Sequence, residues 1–260
     1  MAGALALAKP VSVLGWLRIT LRLLAMLLLL LACVTLYYVW RLFGPHNPWP
    51  SFFLAGIGRI AGVRLRTTGQ PARQGQGLEL GGAFVLANHV SWIDIPALAA
   101  SCGAVFVAHD GIASVPLLHW LCRMNETVFV ARHDRNSVAA QVAQVRGAIR
   151  EGRALTIFPE GTTSDGTGLL PFKSSLLSAL DPLPAGIAVQ PVLLDYGPEA
   201  ASIAWVGEEH GLDNFMRILA RRRPVELTVH FLTPLSGDAL TNRKTMAAAA
   251  REALLRKLPG

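Results

Sequence analysis

Residues 83–98 read AFVLANHVSWIDIPAL, and the change of pattern inside this stretch decides the architecture. AFVLA is a short unbroken apolar run of the kind that forms a strand buried on both faces. Asn88 and His89 end it, Ser91 is positioned to cap the next segment, and IDIPALAA takes helical spacing with Pro96 tolerated in the first turn. His89 therefore stands on the turn leaving a strand, and Asp94 five positions later belongs to the first helical turn.

Downstream the same alternation recurs. AVFVA (104–108) and TVFVA (127–131) read as strands separated by a helical segment through LLHWLCR. SVAAQVAQVRGAIREG (137–152) carries Val138, Val142, Val145 and Ile149 at helical spacing, with Gly152 as a stop. ALTIF (154–158), IAVQPVLLDY (187–196) and VELTVHFLTPL (225–235) read as further strands, and TMAAAAREALLRKL has the composition of a closing helix. This order predicts an α/β fold, a mixed central sheet flanked by helices. No internal repeat interrupts it. GPHNPWP and TGQPARQGQG break the pattern between residues 41 and 70. The expected division is an N-terminal membrane-associated region, 1–65, and a catalytic body, 66–260.

The amino end has a different solvent. Leu23–Trp40 carries no charge and only Thr35 as a clearly polar side chain. Such a stretch is about 27 Å long as a helix, close to the hydrocarbon thickness of a bilayer. Upstream, Arg18 and Arg22 are placed to snorkel to headgroups. A secretory signal fits less well, because no small-residue cleavage site follows Trp40, and a lipid-modified Cys33 is disfavoured by the apolar chain beyond it. Arginines flank the stretch on both sides, so the positive-inside rule gives no clean orientation. A re-entrant hairpin with FFLAGIGRIAGV (52–63) as its second arm keeps both flanks on one side of the membrane.

The formal net charge is +7, from 24 Lys plus Arg against 17 Asp plus Glu. With no zinc-finger or helix-turn-helix pattern, that surplus points to anionic lipid and not to nucleic acid. The run Arg221, Arg222, Arg223 reads as a headgroup contact or as a solvated turn before Pro224. Three widely spaced cysteines, Cys33, Cys102 and Cys122, supply no disulfide framework. Scattered His109, His119 and His133 lack metal-ligand spacing.

A neutral imidazole can take a hydroxyl proton near physiological pH, and a carboxylate on its second nitrogen selects the tautomer and steadies the charged ring. His89 and Asp94 suit those two roles. The second chemical segment is FPEGTTSDG (158–166), a strand end opening into a polar crevice where α/β proteins place ligands. There Gly161 permits close approach to the backbone, and Glu160, Thr162 and Thr163 offer polar atoms to an acceptor's head. Taken singly, a capped helix beside a structural histidine and two ordinary turns explain the same letters.

Together the segments resemble one family. NHVSWID is similar to the histidine-four-residues-aspartate motif, and FPEGTTSDG to the phe-pro-glu-gly-thr motif, of the glycerolipid acyltransferases typified by 1-acylglycerol-3-phosphate acyltransferase. VFVAR, ending at Arg132, resembles the family's second block, and VQPVLL, with Pro191 and Val192, its last. The resemblance implies His89 as general base, Asp94 as its orienting partner, Arg132 as an acceptor-phosphate contact, and Glu160, Gly161, Thr162 and Thr163 in the acceptor pocket. It also implies a glycerolipid acyltransferase-like fold and direct O-acyl transfer with no bound cofactor. The donor would be an acyl thioester of acyl carrier protein or coenzyme A, and the acceptor a lysolipid hydroxyl. The implied location is a bacterial-type inner membrane with the catalytic body on its cytoplasmic face.

Two positions depart from the pattern. Thr163 stands where the third block usually has arginine, and His109 where relatives commonly have lysine. The form EGTTSDG followed by LPFKSSL looks closer to enzymes acylating lyso-ornithine lipid or lysophosphatidylcholine-like acceptors, with Lys173 able to compensate for a missing cation. The leading expectation is therefore 1-acyl-sn-glycerol-3-phosphate as acceptor, giving phosphatidic acid, with lyso-ornithine lipid as the alternative. A lipid or thioester hydrolase and a noncatalytic membrane adaptor are the competing readings.

Overall fold

A computed structural model of the chain describes residues 11–44, 47–72, 82–109, 116–125, 127–130 and 154–258. Its helices are α1 (Val13–Trp40), α2 (Trp49–Ala61), α3 (Asp94–Cys102), α4 (Pro116–Met124), α5 (Ala200–Ile203), α6 (Gly211–Ala220) and α7 (Arg243–Lys257). The strands are β1 (Val63–Thr68), β2 (Ala83–Ala87), β3 (Val105–His109), β4 (Val128–Val130), β5 (Ala154–Ile157), β6 (Ala188–Asp195) and β7 (Val225–Phe231). Arg132 and the helix expected over 137–152 lie outside the described residues.

The strands form one sheet in the order β1-β7-β6-β2-β5-β3-β4, and all adjacent pairs are parallel except β6 with β7. This is the mixed α/β architecture expected from the alternating pattern. β2 is buried along its whole length, as an internal parallel strand covered on both faces must be. Phe84 and Leu86 pack with Leu155, Ile157, Met246 and Ala250 on the α7 side. Val85 and Ala87 pack with Ala97, Leu98 and Ile218 on the α3 and α6 side. β7 ends at Phe231, short of the expected 225–235 and before Pro234. Proline cannot donate to a ladder.

The central strands carry their ends toward one edge of the sheet. Asn88, just past β2, donates its side-chain amide to the Leu194 carbonyl at 3.1 Å and accepts from the Leu194 N–H at 2.7 Å. That two-way bond fixes the end of β6 beside the turn bearing His89.

β1 begins at Val63 and pairs with β7 from its first residue, so the first strand of the sheet runs across residue 65. Ser91 does not cap α3 with its hydroxyl, which donates instead to Asn214 Oδ1 at 3.3 Å, while α3 begins without a side-chain cap. Arg18 and Arg22 are engaged within the protein. Arg18 donates to the Ala220 carbonyl at 3.3 Å, and Arg22 to the Leu219 carbonyl at 2.9 Å. These are the carbonyls left open at the C-terminal end of α6, where cations are favoured.

α1 is one apolar helix of 28 residues starting at Ser12, whose hydroxyl accepts from the Gly15 N–H. Leu17, Leu21, Leu24, Leu28 and Leu31 are exposed, and its most apolar window is only 17% buried inside the protein. α2 runs back along it: Asn47 bonds the Tyr37 carbonyl near the far end, and Arg22 lies beside Gly62 at the near end. Ile19 and Met26 of α1, Ala61 of α2 and Leu219 of α6 form a separate apolar cluster, joined by Trp92 and Phe215. Of the basic run, Arg221 pairs with Glu199, and Arg222 and Arg223 are exposed in the turn before Pro224.

The double substitution Arg18→Ala, Arg22→Ala should lower folding stability by about 1–3 kcal/mol, the worth of charge-assisted bonds at a helix C-terminus. Retention in the membrane should be unchanged, because the apolar stretch is untouched. Thermal unfolding in detergent and alkaline extraction of membranes check the two halves separately.

Candidate active site

Three segments meet around His89: the turn after β2, the loop after β5 and the end of β6. The ring nitrogen Nδ1 of His89 lies 2.7 Å from Asp94 Oδ2. Asp94 is completely buried, whereas the His89 side chain is 19% exposed. The same carboxylate oxygen accepts the Val90 N–H at 2.6 Å and the Ser91 N–H at 3.0 Å. Its other oxygen, Oδ1, accepts the Tyr196 hydroxyl at 2.5 Å. With Nδ1–H given to a carboxylate, the lone pair of His89 is on Nε2, which has no partner among the described residues.

The imidazole rests on the Phe158 ring, with centroids 4.1 Å apart and planes 17° from parallel. Phe158 is the residue immediately beyond β5, whose strand is paired with β2. Ser164 grips the same segment from the far side of the loop. Its backbone N–H donates to the His89 carbonyl at 2.7 Å and its hydroxyl at 3.1 Å.

Glu160 is 1% exposed. Its two oxygens accept the His89 N–H and the Leu170 N–H, each at 3.0 Å. Both oxygens face backbone donors, so within the protein Glu160 braces the two loops against each other. Burial pushes its pKa above the ordinary value, although the two amide bonds pull the other way. Arg251 of α7 holds the outer end of this brace by donating to the carbonyls of Leu169 and Leu170 at 3.0 and 3.2 Å.

Gly161 has φ +70°, and a Cβ there would meet the Lys173 Nζ at 3.1 Å. The left-handed backbone favours glycine there, and the Lys173 ammonium lies over it. The Gly161 N–H is given to the Phe158 carbonyl. Thr162 is exposed, and the Thr163 hydroxyl donates to the Trp205 carbonyl. At Gly166, φ +75°, a Cβ would lie 2.9 Å from Ala200 Cβ and 3.1 Å from Val90 Cγ1. Asp165, between Ser164 and Gly166, is exposed, and the Thr167 N–H and hydroxyl bonds depress its pKa.

His89, Asp94, Glu160, Gly161 and Thr163 thus gather around one turn. Phe158, Tyr196 and Asn214 are added to the residues expected from sequence. Asn214, fully buried, bonds Ser91 on one side and the carbonyls of Ile203 and Ala204 on the other. An asparagine within the otherwise amphipathic GLDNFMRILA was the available signal, because a polar side chain on a buried helical face must have partners.

A family model described as Acyltransferase matches residues 66–195. The lyso-ornithine lipid O-acyltransferase of Rhodobacter capsulatus is 33% identical over 261 residues, covering 95% of this chain and 92% of that protein. The 1-acyl-sn-glycerol-3-phosphate acyltransferase of Neisseria gonorrhoeae is 39% identical over 132 residues, which is 47% of this chain and 51% of the other. Among solved structures, the 1-acyl-sn-glycerophosphate (LPA) acyltransferase PlsC from Thermotoga maritima matches with a TM-score of 0.60 at 18% identity, over 93% of this chain and 96% of that one. The likeness to the last is one of fold.

Replacing Glu160 by Gln puts an amide N–H against one of two backbone donors and should cost about 1–3 kcal/mol. Hydrogen exchange should quicken at the His89 and Leu170 amides. A raised carboxyl pKa means that the folded protein favours the protonated acid. Its contribution is full below the ordinary carboxylate pKa and is lost as pH rises through the folded value. Glu160→Gln should remove that segment from the pH–stability curve measured by chemical denaturation.

Proposed function

The chain belongs to the acyltransferase family that esterifies lysolipid hydroxyls, and from that premise we propose that its acceptor is a lyso-ornithine lipid, with His89 as general base and Asp94 as the group that orients it. In this reading Nε2 of His89 takes the proton as the acceptor's hydroxyl oxygen attacks the thioester carbonyl. The tetrahedral intermediate then breaks its C–S bond, and the thiolate leaves with the proton from the imidazolium. The donor is an acyl thioester of acyl carrier protein or coenzyme A. The His89–Asp94 bond with an open Nε2 is the observation that carries the mechanism.

The acceptor reading rests on the third block. A phosphate is best held by the two-pronged guanidinium of arginine, but position 163 is threonine, and its hydroxyl is spent on Trp205. An ornithine headgroup presents a carboxylate and an ammonium and no phosphate. Lys173, whose ammonium lies over Gly161, and the exposed Asp165 of the same loop offer the two opposite charges it needs. The alignment with the lyso-ornithine lipid enzyme runs nearly end to end. The more identical glycerophosphate enzyme aligns over half the chain, which keeps 1-acyl-sn-glycerol-3-phosphate as the second reading. The exposed face of α1 suits a membrane, and the preferred arrangement places the body, from Val63 onward, on the cytoplasmic face of a bacterial-type inner membrane.

Purified protein given a labelled acyl donor should acylate lyso-ornithine lipid in preference to 1-acyl-sn-glycerol-3-phosphate. Thr163→Arg should move that preference toward the phosphate acceptor by roughly tenfold or more, as one bidentate pair allows. His89→Ala should lower turnover by about 10²–10⁴-fold. Release of free fatty acid alone, with every lysolipid tested, contradicts acyl transfer by this site; acylation of the phosphate acceptor alone selects the second reading.

A further inference from the structure

Asp94 carries an asymmetric load. Three donors, His89 Nδ1–H and the N–H groups of Val90 and Ser91, converge on Oδ2, while Oδ1 is met by the Tyr196 hydroxyl. Tyr196 is 4% exposed and stands one residue beyond β6, opposite His89 because Asn88 clamps Leu194. We propose that Tyr196 is a positioning residue for the transfer reaction: it locks the Asp94 carboxylate against rotation and shares its negative charge, and so sets how strongly His89 holds the proton it takes.

Without that hydroxyl, Oδ1 becomes a buried anionic oxygen with no donor. The carboxylate then concentrates its charge on the remaining bonds, pulls harder on Nδ1–H and makes the imidazole more basic. An over-basic histidine is protonated at working pH and cannot accept the hydroxyl proton. The phenol is suited to the part. Burial, and then the neighbouring Asp94 charge, hold its pKa well above the ordinary value, so it remains a donor throughout the working range. Among the described residues the nearest other titratable groups are Glu160, which meets the assembly through the His89 N–H, and Asp195, next to Tyr196, which is bonded to the Gly197 N–H with His230 Nε2 at 3.6 Å.

The inference rests on His89 being the base. The test tracks the His89 ring by ¹⁵N NMR in detergent micelles, with the full chain, alongside kcat/KM against pH. Tyr196→Phe should raise the His89 titration midpoint by about half to one pH unit and carry the acid limb of kcat/KM with it, with a plateau loss of only a few-fold at high pH. Glu160→Gln as background separates the protonation of Glu160 from that of the ring. Should Tyr196→Phe fail to fold, biosynthetic 3-fluorotyrosine in a Tyr37→Phe, Tyr38→Phe chain leaves Tyr196 as the only tyrosine of three. Its more acidic phenol donates more strongly, and the midpoint should fall. An unmoved His89 midpoint, with turnover reduced equally at every pH, overturns the positioning role and leaves Tyr196 as packing. Full activity in His89→Ala overturns the underlying reading instead.

Discussion

A buried carboxylate with nothing to bond would cost several kcal/mol, and Asp94 is completely buried. Its solution is to collect the first two N–H groups after His89, the histidine ring and a phenol from the neighbouring strand. Each of these partners must come from a defined place. Three come from the turn after β2, and Tyr196 comes from the end of β6, held in register by Asn88. The need to satisfy one anion thereby fixes the turn, the helix start and the spacing of two strand ends. The by-product is an imidazole with one nitrogen occupied and one open.

Around that centre the protein uses polar groups as braces more than as contacts for a ligand. Glu160 joins the His89 turn to Leu170, Ser164 closes on the His89 carbonyl, and Asn214 ties Ser91 to the chain after α5. The apolar helix takes part as well. Its arginines cap α6, and α6 carries Asn214, so the segment suited to lipid and the turn bearing His89 are two steps apart through packed elements. The apolar helix and the site geometry share one structural path.

The strand–turn–helix around His89 was readable because its period changes within a few residues; AFVLA and AVFVA are unbroken apolar runs, and VELTVHF alternates as a strand does. β1 was not read as a strand, since VRLRTT alternates arginine with apolar residues at the sheet's edge and four of its six residues are exposed. Glu160 and Thr163 illustrate the limit at the site. Their letters announce polar atoms at a strand end, but whether those atoms face a ligand or the backbone depends on loops folding back from residues 170 and 205. Tyr196 lies far from His89 in the chain, and only strand order brings the two together.

The central claim is that Asp94 aims the open nitrogen of His89 at the acceptor's hydroxyl. The most direct measurement is an experimental structure of the full chain with a lysolipid and a non-cleavable acyl-thioester analogue bound. The account predicts the acceptor's hydroxyl oxygen within about 3 Å of His89 Nε2 while Nδ1 remains on Asp94. A hydroxyl seated elsewhere, or an imidazole turned so that Nε2 meets protein and not acceptor, would contradict it.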